Sequence, residues 1–92
     1  MIRMLEKETI AEKIEQFIRN TFGIPEDTDG FGRTCDLFES GFVDSMGLIK
    51  LISFLESAFG ILIDEDHLFD ERFLTIDGES RLVFELMNQL NE

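Results

Sequence analysis

The segment from Leu48 to Phe59 constrains this chain more than any other. Leu48, Ile49, Leu51, Ile52, Phe54, Leu55, Ala58 and Phe59 recur at spacings of three and four, leaving Lys50, Ser53, Glu56 and Ser57 as a polar strip. This spacing predicts a helix buried over most of its surface, the hub of a helical core. Gly60 follows as the residue that ends it in the left-handed conformation. Upstream, Asp44 is a favoured N-cap whose carboxylate accepts the free N–H groups of the first turn, and Ser45 to Gly47 form that turn. The Ser45 hydroxyl is therefore expected where a helix begins. Such an end carries unsatisfied donors and roughly half a positive charge, so it tolerates a phosphate on the side chain.

Before this helix, Ile10, Ile14, Phe17 and Ile18 lie at helical spacing, with Leu5 one turn before them and Phe22 one turn after. Thr9 and Glu12 match a capping box while Met4 and Leu5 carry the apolar stripe upstream, which leaves two starts open. Gly23 and Pro25 end the helix. Residues 24–44 form a long connection in which Phe31, Leu37, Phe38, Phe42 and Val43 are available to pack, each contributing about 1.5–3 kcal/mol if fully buried. Gly30 and Gly32 cannot anchor a calcium loop in this connection, because one register puts Pro25 and the other puts Phe31 and Phe38 at ligand positions.

After Gly60, the run Ile61-Leu62-Ile63 is too short for periodicity to decide; it reads as a buried linker, with a strand as the alternative. Asp64 is placed to cap a short helix over Glu65 to Asp70 that offers Leu68 and Phe69 to the core. His67 reads as facing solvent and not as a metal ligand, since no second His or Cys lies at ligand spacing. The last helix runs from Thr75 or Asp77 to about Leu90, with Leu82, Val83, Leu86, Met87 and Leu90 on one face and Phe84 at the core edge.

The whole chain, residues 1–92, reads as one domain. It has 20 acidic residues against 8 basic and a formal charge of −12, which disfavours nucleic acid and anionic membrane and favours basic protein surfaces. A lone Cys35, with no signal peptide and no long apolar run, points to a reducing cytoplasm and no membrane insertion. Nothing demands more than a monomer.

Gly41-Phe42-Val43-Asp44-Ser45-Met46-Gly47-Leu48, with Leu51, Leu55, Glu56 and Phe59 behind it, resembles the attachment motif of acyl and peptidyl carrier proteins. Ile63 to Asp66 and Phe73 to Ile76 resemble that family's third helix and the entry to its fourth; the first turn of the fourth departs from the family pattern, with Gly78, Glu79, Ser80 and Arg81 where carriers usually have small or apolar residues, which implies a late start or loose packing there. The resemblance implies an all-α fold, a four-helix bundle with a long first loop and a short third helix. It implies no catalysis by the chain itself. Phosphopantetheine, donated by coenzyme A through a separate phosphopantetheinyl transferase, would be esterified to Ser45 and carry an acyl or aminoacyl group as a thioester. Asp44 would cap the helix and contact the transferase, Met46 would anchor the arm, and Gly47 would keep the surface open.

The other implied partners are a loading ligase and an acyltransferase or synthase of fatty acid or secondary metabolite biosynthesis, docking on Met46, Lys50, Ser53, Glu56, Asp64, Glu65 and Asp66. Gly47 after Asp-Ser-Met resembles D-alanyl carrier proteins and stand-alone carriers of secondary metabolism; fatty acid carriers usually have an acid there, and Lys50 replaces a position that is often acidic. Two other classes compete with this reading. A serine hydrolase lacks support, because Val43 stands where a nucleophile elbow needs glycine and His67 is the sole imidazole. A small acidic helical interaction module without a prosthetic group is the alternative.

Overall fold

The computed structural model describes residues 6–90. It contains four helices, α1 (Lys7–Phe22), α2 (Ser45–Phe59), α3 (Glu65–Leu68) and α4 (Ile76–Leu90), with a 3-10 turn over Glu71–Leu74 and no strand among the described residues. This is the all-α, four-helix architecture with a long first loop. Met4, Leu5 and the side chain of Leu90 lie outside the described residues. Ile61 to Ile63 is a linker, with Ile61 buried and Leu62 exposed.

The core is built from Ile10, Ile14 and Ile18 of α1, Leu51 and Leu55 of α2, Ile76, Leu82 and Val83 of α4, and Leu37, Val43 and Phe73 from the connections. The hub is the α1–α4 pair, not α2. Helix α2 buries a single i, i+4 ridge of Gly47, Leu51, Leu55 and Phe59, while Ile49 stays 59% exposed. Its apolar residues outnumber the positions its one-sided support can cover, which is why the expectation of near-complete burial fails.

Helix α1 starts at Lys7 after Glu6, with no side-chain cap, so Thr9 lies inside the helix and the Thr9–Glu12 capping box does not form. Helix α3 ends at Leu68, and Phe69 is 86% exposed instead of entering the core. Its cap is reciprocal: Asp64 Oδ1 accepts the His67 N–H at 3.1 Å and His67 Nδ1 accepts the Asp64 N–H at 3.0 Å. His67 is therefore a half-buried capping residue, not a solvent-facing one. Just beyond, Arg72 grips Asp70 at 2.8 Å and Glu85 at 3.0 Å, and its hydrogen bonds hold the Asp70 carboxyl down at about 2.

The long loop follows the core closely. Leu37 donates to Leu74 O at 2.9 Å, Val43 donates to Leu37 O at 3.0 Å, and Asp77 donates to Arg33 O at 2.9 Å. Phe31 meets Phe42 edge to face at 5.1 Å, and Phe38 stacks on Phe73 at 6.3 Å. Arg33 ties the loop to α1 through Glu8 at 2.8 Å and Glu15 at 3.0 Å, and Glu15 also pairs with Arg19 at 2.9 Å. Burial pushes the Glu15 carboxyl up, and the hydrogen bonds from Arg33 and Arg19 outweigh it, leaving a net lowering.

The start of α4 is tight, not loose. Thr75 Oγ1 accepts the Gly78 N–H at 2.9 Å, and Gly78, Glu79 and Ser80 are buried. A Cβ at Gly78 would collide with the backbone of Arg72, so glycine is what lets the 3-10 turn close on the helix. Glu79 shares the inward face with Leu82 and Val83, is fully buried, and neither carboxylate oxygen has a hydrogen-bond partner among the described residues. Burial pushes its carboxyl well above the usual range, so the neutral acid is favoured.

Candidate functional site at the start of helix α2

Asp44 sits in extended backbone at φ −101° and ψ −171°, with its carbonyl already accepting the first helical bond, from Leu48 N–H at 2.8 Å. Its Oδ1 accepts the Gly47 N–H at 2.8 Å. The N–H groups of Ser45 and Met46 are left with no acceptor inside the helix. Both residues are exposed, Met46 to 67%.

The support beneath them is firm. Val43 is buried, and the chain reaches it through Gly41 at φ +87°, a left-handed turn that favours glycine. Gly47 is buried too: a Cβ there would lie 2.8 Å from the Phe22 ring and 3.1 Å from Val43 Cγ1. Gly47 therefore lets the end of α1 close beneath the start of α2, and does not open the surface beside Ser45 as expected. The result is a serine hydroxyl in solvent on a rigid base.

The residues expected to meet partners are distributed unevenly. Met46, Lys50 and Ser53 lie on the exposed face of α2 below Ser45. Glu56 is half-buried, and its Oε2 accepts the Ile63 N–H at 2.9 Å, so this carboxylate fastens the linker and is not a free docking charge. Asp64 is the α3 cap, with Glu65 and Asp66 exposed in its first turn. Cys35 is half-buried and its thiol donates to Gly32 O at 3.4 Å, a contact within the loop. Ile49, Leu62 and Phe69, expected in the core or in a buried linker, are exposed. Ile49 carried a usable signal, since it falls at i+4 from Ser45.

An exposed serine at the head of the second helix of this bundle suits a scaffold that carries a group on that hydroxyl. Residues 12–74 match the phosphopantetheine attachment site family. An acyl carrier protein from Saccharopolyspora erythraea is 29% identical over 86 residues, covering 94% of this chain and 86% of that relative. The chain belongs to the phosphopantetheine attachment site family. It is a non-catalytic carrier whose cofactor is covalent phosphopantetheine, and such carriers work with a phosphopantetheinyl transferase and biosynthetic enzymes. None of the helices among the described residues is long and apolar enough to cross a membrane.

Proposed function

We propose that Ser45 is the attachment residue, and that this chain presents an acyl or aminoacyl thioester to enzymes that load it and unload it. The observation that carries this reading is the exposed hydroxyl at the first position of a 15-residue helix whose cap engages only the Gly47 N–H. A phosphodiester on Ser45 places its negative charge beside two free N–H groups, a gain of about 0.3–1 kcal/mol on a surface that is otherwise strongly acidic. When bound, phosphopantetheine supplies a thiol that holds the cargo as a thioester. The chain's own contribution is to position that group, and Asp44 keeps the first turn in place while the transferase acts.

Partner enzymes dock on Met46, Lys50 and Ser53, with the acids Asp64, Glu65 and Asp66 answering basic patches on their surfaces. The lone cysteine and the absence of a disulfide fit work in a reducing cytoplasm. Intact mass after incubation with coenzyme A and a promiscuous phosphopantetheinyl transferase tests the reading. A gain of one phosphopantetheine that is absent from Ser45→Ala is expected. No gain with an active transferase leaves an acidic interaction module as the function.

A further inference from the structure

The two most exposed large apolar side chains among the described residues both follow α2: Leu62 at 81% and Phe69 at 86%. Burying either would stabilise the fold, yet polar contacts fix the backbone on each side and hold both out. Ile61 is buried and the Ile63 N–H donates to Glu56 Oε2 at 2.9 Å, which leaves Leu62 between two tied residues. The Phe69 N–H donates to Asp66 O at 3.2 Å, and the Asp70 N–H donates to His67 O at 3.1 Å. Asp70 is gripped in turn by Arg72, which also reaches Glu85 on α4. Bonds from i+3 to i bring the side chains at those two positions into line, so Phe69 stands over exposed Asp66 while Leu68 packs against the core.

We infer that Phe69 and Asp66 together receive an arginine from a partner protein, with Leu62 as a second apolar contact. A guanidinium is planar and weakly hydrated, so it can lie on an aromatic face while its N–H groups pair with a carboxylate beside the ring. The fold already builds this arrangement once: Arg19 lies over the Phe31 ring at 4.6 Å while its Nε donates to Glu15 at 2.9 Å. Phe69 with Asp66 offers the ring and the carboxylate, and no cation among the described residues lies over that ring. The charge around it selects the occupant. Between Leu62 and Arg72 stand five acids, Asp64, Glu65, Asp66, Asp70 and Glu71, and no lysine or arginine. A second copy of this chain, at −12, a nucleic acid or an anionic membrane would each meet repulsion there, whereas a basic protein face is drawn in. The fixed backbone lowers the ordering cost of such docking. The inference adds an aromatic anchor on α3 to the docking surface proposed above, and it holds whether or not Ser45 is the attachment residue.

The test is an NMR titration of the full chain at physiological salt with a capped helical peptide of arginine, leucine and alanine, and with the same peptide carrying lysine for arginine. The arginine peptide is expected to give saturable shifts at the Phe69 ring protons and at the Asp66 amide. Affinity should fall about tenfold with the lysine peptide, and by a similar factor in Phe69→Ala. Core methyl shifts should stay in place in Phe69→Ala, because the ring is exposed. Ser45→Ala should bind the arginine peptide as the parent chain does, which separates this outcome from the phosphopantetheine assay. Equal affinity for the two peptides, unchanged affinity in Phe69→Ala, or shifts spread evenly over the acidic surface would overturn the inference. Shifts at Phe69 that grow with protein concentration in the absence of peptide would overturn it too, in favour of a second copy.

Discussion

Helices α2 and α4 begin with the same local design and end in opposite situations. Each has a cap with a side-chain oxygen, Asp44 or Thr75, that accepts the N–H of a glycine three residues on, Gly47 at 2.8 Å and Gly78 at 2.9 Å. Around Gly47, Ser45 and Met46 face solvent; around Gly78, the chain is buried through Glu79 and Ser80. The difference lies in what each glycine touches. Gly47 rests on the ring of Phe22, the far end of a side chain, whereas Gly78 rests on the backbone of Arg72. A helix start propped on one flank by a side chain stays open on the other, and one clamped to the preceding turn is drawn into the core. Capping residues mark where a helix begins and leave open which way its first turn faces.

The largest effects should separate the two glycines. Gly78→Ala drives a methyl into the Arg72 backbone, which cannot swing aside, and is expected to cost about 3 kcal/mol in urea unfolding. Gly47→Ala displaces a ring edge and gains about 1 kcal/mol of helix propensity, so its net change should stay within about 1 kcal/mol. Equal costs at the two positions would remove the contrast.

Glu79→Leu comes next. Replacing a buried, unpartnered carboxyl by an apolar side chain of similar size should stabilise the fold by about 1–3 kcal/mol near neutral pH. The pH dependence has a definite sign. The folded-state pKa of Glu79 lies above its unfolded value of about 4.3, so the folded chain binds the extra proton between the two. The parent protein's stability from this group is full below about pH 4 and declines as pH rises toward the folded value. The advantage of Glu79→Leu should therefore be larger at about pH 8 than at about pH 5, and an equal advantage at both would mean that Glu79 finds a partner.

Smaller changes belong to the caps and to Ser45 itself. Asp44→Ala and Thr75→Ala should each cost about 1 kcal/mol, since each frees one glycine N–H. Ser45→Ala should shift thermal unfolding by less than about 0.5 kcal/mol, because the side chain is exposed and the cap is intact. A loss near that of Asp44→Ala would make Ser45 a structural residue.

Much of this is legible from sequence where the signal is local. Periodicity places α1, α2 and α4, and Asp44, Gly23, Gly60 and Asp64 mark ends that the structure keeps. Leu37 and Val43 could be assigned to the core through the family resemblance, which implies a long first loop that packs its apolar residues on the bundle. What escapes is tertiary. Phe69 stays outside because α3 ends two residues short of the expected Asp70, and nothing within the segment states how far a four-residue helix will run. Glu79 falls in a first turn expected to start late or pack loosely, whereas the close approach of Gly78 to the Arg72 backbone accompanies its burial. The stack of Phe17 on Phe54 escapes as well, because the two rings meet across two helices about 37 residues apart in sequence.

The most direct test of the central claim is the position of the modification on the chain. Trypsin cleaves after Arg33 and Lys50 and releases residues 34–50, a peptide that contains both Ser40 and Ser45. Fragmentation of that peptide from the phosphopantetheinylated protein should place the added mass on Ser45. The mass on Ser40, or on any serine outside this peptide, would contradict the account.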